Sequence, residues 1–321
     1  MTRPVTLVEF AALWGLLAAG CSNGYAPGGP DASPDRADTG PADVREADGA
    51  RSDSAGPADD AEGDANRDPD AGGGNDGQSQ NGCTPNQNGT IERSEVPLEP
   101  GLRAMYRVAS DVRVDTRGKT AGSGSRRWSF DESYDSQSTE LVTFRDVSGQ
   151  WYESEFPKAE YAAKLTGQSD ALGLFRATRR SLLLLGVVSP DDEGATTEID
   201  YDPSIRVLKF PLSKGDSWKT ETTATGTHEV WSPFVPITWD ETYKNQVDAA
   251  GKVETPYGTF RALRVRTTLE RSASVTGVPL GTVRTFAFVA ECFGTVATIR
   301  SERGEDSVEF DRASELRVLT K

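Results

Sequence analysis

The fold is decided by the stretch Lys252-Val253-Glu254-Thr255-Pro256-Tyr257-Gly258-Thr259-Phe260-Arg261-Ala262-Leu263-Arg264-Val265-Arg266. Gly258 lies among turn-forming residues and permits the positive φ of a tight turn. Beyond the turn, Leu263 and Val265 alternate with arginines that can face water, which is the period-two pattern of a half-buried strand. The stretch therefore predicts a β-hairpin with one face on a hydrophobic core.

The rest of the chain after residue 98 carries the same kind of signal. Short runs of β-branched, aromatic or alternating residues are bounded by turn-formers. These predicted strands are 104–108, 112–114, 140–144, 181–188, 196–200, 205–210, 218–225, 269–275, 282–290, 295–301, 307–310 and 315–319. The segment 158–180 favours a helix, although Gly167 and Gly173 interrupt it. We expect residues 98–321 to form one mainly β domain, a single curved antiparallel sheet or half-open barrel.

Several turn-and-aromatic motifs of this domain resemble a pattern found in uncharacterised bacterial exported proteins. They are Ile199 to Pro203, Leu208-Lys209-Phe210-Pro211-Leu212, Lys214-Gly215-Asp216-Ser217-Trp218, Thr255 to Leu263 and Phe288 to Val296. The resemblance covers about residues 175 to 301 and implies a strongly curved antiparallel sheet, similar in kind to the half-barrel of lipoprotein carriers. It implies a fold and no catalytic residues. Cys292 and Phe293 depart from the pattern, which has small residues before the glycine.

The N-terminus has the features of an export signal. Arg3 precedes an uninterrupted apolar run, Phe10 to Gly20, which is too short to span a bilayer, since a spanning helix needs about 20 residues. The run ends in Leu17-Ala18-Ala19-Gly20-Cys21, which resembles the lipobox of bacterial lipoproteins. That resemblance implies a signal peptide at 1–20 and acyl chains on Cys21 that hold the protein to a membrane. An ordinary secretory signal with a chance cysteine is the alternative.

Residues 21–82 predict a disordered acidic linker. They consist mainly of Asp, Ala, Gly, Pro, Ser and Asn, with Tyr25 as the single aromatic residue, and cannot bury enough apolar surface to offset the entropy of folding. Fourteen acidic residues against four arginines give this segment −10 of the chain's net charge of −15. The folded part therefore lacks the basic surface that a nucleic-acid partner requires, and we expect no such partner.

Two cysteines remain beside Cys21, namely Cys83 and Cys292. In an exported protein an even pair of cysteines predicts a disulfide, because the compartment is oxidising. Such a bond would attach the end of the linker to the last third of the domain. The alternative is a pair of free thiols, with Cys292 as a small core residue.

The linker leads into a junction, residues 83–97, with the spacing of an EF-hand calcium loop. Its twelve positions run from Thr84 to Glu95, with Gly89 at the sharp turn. The candidate ligands are Asn86, Asn88, Thr90, Glu92 and Glu95. Because Thr84 stands where aspartate is expected, few carboxylates remain and the predicted calcium binding is weak. The alternative is a degenerate loop that docks the linker onto the domain. No other cofactor is expected.

A dense group of aromatic residues surrounds the sequence 232–236. Its members are Trp218, Trp231, Phe234, Trp239 and Tyr243. Such a group can form a carbohydrate-contacting or lipid-contacting surface or the mouth of an apolar cavity. Packing in the core of the β domain is the alternative.

Signals for catalysis are poor. His228 is the single histidine and is expected at a half-exposed strand position. With one histidine in the sequence, metal sites with two or more histidine ligands are excluded. The β domain contains no G-x-S-x-G elbow, P-loop or G-x-G-x-x-G. The acid pairs 191–192 and 240–241 are expected in solvated turns. They leave a carboxylate-dependent envelope hydrolase as the alternative function.

These features together predict a lipid-anchored cell-envelope protein with a non-enzymatic binding or structural role. Ser22 follows the cysteine, at the position where an aspartate retains lipoproteins of some Gram-negative bacteria in the inner membrane, so the outer membrane is expected. The membrane partner would be reached through the acyl chains on Cys21. The resemblance to lipoprotein carriers implies an apolar groove for a lipid or an envelope protein, and the sequence names none of its residues.

Overall fold

A computed structural model describes residues 83–122, 125–193, 196–228 and 232–321, with the backbone alone at 232–234. The predicted signal peptide, Cys21 and the acidic linker lie outside the described residues. Within those four ranges no helix has the length and apolar character needed to cross a membrane.

The described residues form seventeen strands and a 3-10 helix at Arg93–Glu95. The strands are β1 (Thr90–Ile91), β2 (Arg103–Arg113), β3 (Lys119–Ala121), β4 (Ser125–Ser129), β5 (Gln137–Thr143), β6 (Arg145–Asp146), β7 (Tyr161–Thr166), β8 (Ser169–Ala177), β9 (Ser181–Val188), β10 (Glu198–Lys209), β11 (Leu212–Ser213), β12 (Ser217–His228), β13 (Ser232–Glu254), β14 (Thr259–Ala273), β15 (Pro279–Ala290), β16 (Gly294–Arg300) and β17 (Arg312–Thr320).

One curved sheet contains nearly all of these strands. Its order is β5-β2-β17-β16-β15-β14-β13-β12-β10-β9-β8-β7-β6, and every neighbouring pair along this path is antiparallel. β4 adds a short parallel pairing to β13, and β1 pairs separately with β11. The predicted mainly β fold with a single curved antiparallel sheet is confirmed, and the hairpin of residues 252–266 is the β13–β14 turn.

Two predictions of secondary structure are wrong. The segment 158–180 forms β7 and β8, not a helix, and Gly167 lies in the turn between them. Its apolar residues pack on both faces of the sheet, so strand pairing buries more of them than one helical stripe would. The predicted strand at 307–310 is part of an irregular connection between β16 and β17.

Apolar residues lie on both faces of the sheet at β9, as its continuous run predicts. Leu184 belongs to the large core, whereas Leu185 belongs to a smaller cluster with Tyr152 and Phe156. Gly186 lies directly under Phe156, and a Cβ there would come within 2.3 Å of the ring. The irregular segment between β6 and β7 therefore covers the outer face of this part of the sheet.

The expectation that Arg264 faces water is wrong, because the chain between β2 and β5 covers its face. Arg264 is 3 % exposed and lies between the rings of Trp128 and Phe286, with its guanidinium carbon 5.6 and 4.3 Å from their centres. Arg261, earlier on the same strand, is exposed as expected. The pattern of alternation locates the strand correctly, but it cannot show what packs on its polar face.

Candidate functional site

The structure brings Cys83 and Cys292 together in a disulfide. Their Cα atoms are 5.6 Å apart across a sequence separation of 209 residues. The cysteine count of the sequence singles out this pair, and the turn between β15 and β16 places Cys292 where the junction reaches it. The end of the predicted linker is thereby attached covalently to the sheet.

The junction residues 84–95 form a loop with internal hydrogen bonds. Asn86 and Asn88 each accept a hydrogen bond from the backbone two residues later, at 2.9 and 2.8 Å. Gln87 and Gly89 adopt φ of 54° and 84°, in the left-handed region. Glu95 accepts a hydrogen bond from the Asn86 amide at 2.5 Å and one from the Glu92 backbone at 2.8 Å. Asn86, Asn88 and Glu95 are therefore close together, while the Glu92 side chain is exposed.

Contacts with the sheet support the docking interpretation of this junction. β1 pairs with β11, and the hydroxyls of Thr90 and Ser213 are 2.9 Å apart. The Cys292 backbone donates to the carbonyl oxygen of Glu95 at 2.6 Å. Calcium binding stays a prediction; across the described ranges, no three or more His, Cys, Asp or Glu side chains are grouped to hold a metal ion.

Three members of the aromatic group around residues 232–236 are buried, and the other two lie outside the described side chains. Trp218, Trp239 and Tyr243 are 8, 5 and 0 % exposed, so these three pack in the core and form no contact surface. Trp231 and the Phe234 side chain lie outside the described residues. A surface role for the described part of this group is therefore excluded.

Glu241 carries a buried carboxylate, although the sequence pattern predicts it in a solvated turn. It lies on β13, not in a solvated turn, and is 1 % exposed. Its carboxylate accepts hydrogen bonds from Trp239 (2.8 Å), Tyr243 (2.5 Å) and Arg271 (2.6 Å). Burial, followed by the Glu241 charge, raises the pKa of Tyr243 well above its usual value. The alternation of residues 239, 241 and 243 is the signal that places all three side chains on one face.

The curved sheet closes where its two end strands, β5 and β6, follow each other in the chain and are joined by Phe144. β6 pairs with β7 over two residues, and beyond that short ladder β7 contacts β5 and β17 through side chains. We call these contacts the latch, made by Glu140, Lys164, Gly167, Glu315 and Arg317. Lys164 pairs with Glu140 at 2.7 Å, and Arg317 donates to Glu140 at 3.3 Å and to the Leu165 carbonyl at 3.0 Å. The Gly167 backbone donates to Glu315 at 2.9 Å.

The latch holds two carboxylates side by side. A carboxylate oxygen of Glu140 and one of Glu315 each lie 3.5 Å from the position that a Cβ on Gly167 would take. Burial raises the pKa of Glu315, the nearby Glu140 charge adds to this, and Arg317 and Arg300 oppose it. Finding this cluster requires the register of four strands, which no local sequence pattern contains.

An aromatic stack lies beside the short β6–β7 ladder. The ring of Tyr161 is 4.6 Å from that of Phe144 and 5.4 Å from that of Phe175, with interplanar angles of 3° and 18°. Phe144 joins β5 to β6, whereas Tyr161 and Phe175 lie on β7 and β8. The interior of the sheet therefore combines an apolar wall with the charged side chains of β17.

His228 lies at the end of β12 and is 7 % exposed, not half-exposed as expected. Burial lowers its pKa from 6.5 to about 4. An unfolded chain would bind a proton at this side chain near pH 6.5, whereas the folded chain binds it only near pH 4. The stability that His228 contributes is therefore complete above pH 6.5 and falls as the pH drops toward 4.

We expect the variant His228→Gln to lose less stability than the parent between pH 7 and pH 5. The difference follows from the depressed pKa and is at most about 2 kcal/mol, since each pH unit contributes at most about 1.4 kcal/mol. Urea unfolding of both proteins at the two pH values measures it. Equal losses in parent and variant would show that His228 is protonated normally in the folded state.

No protein-family profile, curated protein or solved structure matches this chain.

Proposed function

We propose that this chain is a lipid-anchored cell-envelope protein whose β domain binds an apolar or amphipathic ligand and catalyses no reaction. The observation that carries the proposal is the latch, where β7 contacts β5 and β17 through side chains beyond the two-residue β6–β7 ladder. The Lys164–Glu140 pair of the latch is partly exposed and contributes little to stability. Since no backbone ladder joins β7 to β5 or β17 among the described residues, we expect this seam to open before the paired strands do. Opening it would give a ligand access to the aromatic stack of Phe144, Tyr161 and Phe175.

The anchor and the tether are proposed from the sequence. Acyl chains on Cys21 would hold the protein to the envelope, with the outer membrane as the expected site because Ser22 follows. A flexible chain of the length of residues 21–82 spans roughly 45 Å. The disulfide and the β1–β11 pairing give that tether a fixed attachment on the domain. The partners are then the membrane itself and a lipid or envelope protein.

Replacing the lipidated residue tests the anchor. In the variant Cys21→Ala, the acyl attachment is lost, and we expect the protein to move from the membrane pellet to the soluble envelope fraction. The substitution leaves the Cys83–Cys292 disulfide intact, so the released protein should unfold at the same urea concentration as the parent. Immunoblots of fractionated cells measure the distribution. Unchanged membrane association would overturn the proposed anchor. Ligand binding is tested separately, by native mass spectrometry of the purified protein.

One observation supports a carboxylate-dependent hydrolase as the second candidate function. The latch oxygens of Glu140 and Glu315 share a neighbouring point at 3.5 Å, so they are no more than about 7 Å apart, within the range of glycosidase acid pairs. The raised pKa of Glu315 also suits a general acid. Release of reducing ends from peptidoglycan that disappears in Glu140→Gln and Glu315→Gln would favour this candidate over ligand binding.

A further inference from the structure

Exposed apolar side chains gather at one end of the sheet. Of the five large apolar side chains that are exposed among the described residues, three lie there: Val235, Val275 and Val278, which are 65, 97 and 55 % exposed. Val235 is near the start of β13, and the other two belong to the turn between β14 and β15. Single exposed apolar residues are ordinary on a protein surface, whereas a group of them marks a contact site.

Strand register brings these three valines together. Trp239 on β13 is opposite Ala273 on β14. Val235 and Val275 follow this row toward the end of the sheet, and at about 3.3 Å per residue both lie within about 13 Å of it. Val278 lies beside Ala273, since its carbonyl oxygen accepts a hydrogen bond from the Ala273 backbone at 2.9 Å. We call Val235 and residues 275–279 the tip.

The tip carries no charge. Residues 272–283 contain no Asp, Glu, Lys or Arg, although charged residues make up 26 % of the chain. Val235 belongs to a similar stretch, which runs from 230 to 239 between Glu229 and Asp240. Because Glu229 belongs to the chain between β12 and β13, the charge-free part of this end is the β14–β15 turn with Val235 beside it. Such a surface can leave water without the cost of burying an ion.

The β14–β15 turn also pairs much of its own backbone. Besides the bond from Ala273 to Val278, the Gly277 backbone donates to the carbonyl oxygen of Ala273 at 2.7 Å. The Val278 backbone donates to the hydroxyl of Thr276 at 3.4 Å. Groups that are already paired lose little when they move from water into a less polar medium. The turn can therefore enter the boundary between lipid headgroups and acyl chains, which lies about 5–10 Å deep.

The size and position of the tip favour a bilayer over a protein partner. A stable protein interface buries about 800 Å² on each side, which one turn and one valine do not provide. The other end of β15 leads to the Cys83–Cys292 disulfide, about 40 Å from the tip at 3.3 Å per residue. The tether proposed for residues 21–82 spans roughly 45 Å, so a domain anchored through Cys21 can bring its tip to the same membrane.

We propose that the tip inserts into the headgroup region of the bilayer to which the acyl chains on Cys21 anchor the protein. This inference rests on the anchor of the proposed function and adds a second membrane contact. Three valines bury less apolar surface than a myristoyl chain, whose binding alone is marginal. The tip therefore orients an anchored domain and does not retain an unanchored one, so the Cys21→Ala protein still leaves the membrane pellet.

A fluorophore at the tip measures the insertion. In the Cys21→Ala protein, Thr276→Cys labelled with an NBD maleimide places the dye in the exposed turn. Lys214→Cys is the matched control, since it places the dye in the exposed turn before β12, at the opposite end of the sheet. With phosphatidylcholine vesicles at millimolar lipid, we expect the emission of the label at position 276 to rise about twofold or more as the dye leaves water. The label at position 214 should not respond. High salt should not weaken the binding, because no charged group takes part.

Substitutions at the tip change the vesicle titration in both directions. Val275→Asp combined with Val278→Asp should weaken binding about tenfold or more. Leu141→Asp is the control, because that side chain is 51 % exposed on β5, and it should bind as the parent does. Since both valines are exposed, the double aspartate variant should unfold at the parent's urea concentration. Val275→Trp should tighten binding, because tryptophan prefers the membrane interface, and a folding defect cannot produce that gain.

Several outcomes would overturn the inference. Constant emission at position 276, or vesicle binding that the double aspartate variant retains, would show that the tip does not insert. An equal response at position 214 or a loss of binding at high salt would show adsorption of another surface. A dimer of the parent that the double aspartate variant abolishes would assign the tip to a second copy of the chain. If the tip fails while the lipidated parent stays in the membrane pellet, the anchor of the proposed function stands; if the parent is soluble as well, both fail.

Discussion

Replacing Cys83 and Cys292 together by serine is expected to lower the free energy of unfolding by about 3 to 5 kcal/mol. The disulfide closes a loop of 209 residues, and the entropy that so long a loop removes from the unfolded chain corresponds to about 5 kcal/mol as an upper figure. The effect is large because nearly the whole β domain lies inside the loop. Urea unfolding followed by tryptophan fluorescence measures it.

The parent protein unfolded in the presence of dithiothreitol is the matched control for this variant. It should reach the midpoint of the double serine variant, because reduction removes the same cross-link without changing the sequence. The junction should also become more mobile, since the contacts of Gln87 with Glu291 and of Glu95 with Cys292 depend on its position. If the double serine variant unfolded at the same urea midpoint as the parent, the disulfide would not stabilise the domain.

The second large effect is expected at Arg264, where replacement by methionine should cost about 3 to 5 kcal/mol of stability. The guanidinium makes two hydrogen bonds to Asp248 (2.8 and 2.9 Å) and two to Glu309 (2.7 and 3.2 Å). It also donates to the Thr116 carbonyl at 2.5 Å. Methionine keeps much of the volume but takes the Arg264 cation away from Glu309 and leaves Asp248 with Arg266 at 3.8 Å. The charge left uncompensated is the main cost.

Arg261→Met is the control for Arg264→Met. Arg261 lies on the same strand and is exposed, so its replacement should change the stability by no more than about 0.5 kcal/mol. Denaturant unfolding of both variants at pH 7 separates the two positions. If Arg264→Met unfolded at the same concentration as Arg261→Met, the ion cluster would contribute nothing to holding the connection between β16 and β17.

Much of this fold is predictable from local patterns. The run at 181–188 matches β9 in both bounds, and Gly258 marks the β13–β14 turn, because strand alternation and turn chemistry are properties of neighbouring residues. The helix expected at 158–180 fails for the opposite reason. Its apolar residues gain their partners from segments such as Tyr152 and Phe156, and no local pattern shows that both faces will be covered.

The candidate site is predictable only in part. Counting cysteines finds the Cys83–Cys292 pair, since the number of cysteines can be read from a linear sequence. Motif spacing groups Asn86 with Glu95, which the structure brings into contact, while calcium binding by these residues stays a prediction. The latch cannot be predicted in this way, because Glu140 and Arg317 are 177 positions apart and come into contact only in the curved sheet.

The mass of the folded protein as purified tests the central claim most directly, because a bound ligand adds to it and a filled core does not. Native mass spectrometry of the Cys21→Ala protein from the envelope fraction should show the chain together with one amphiphile, and acid denaturation should release that amphiphile. A parent protein with only the mass of its own chain, both as isolated and after incubation with oleate and lysophosphatidic acid, would contradict the account.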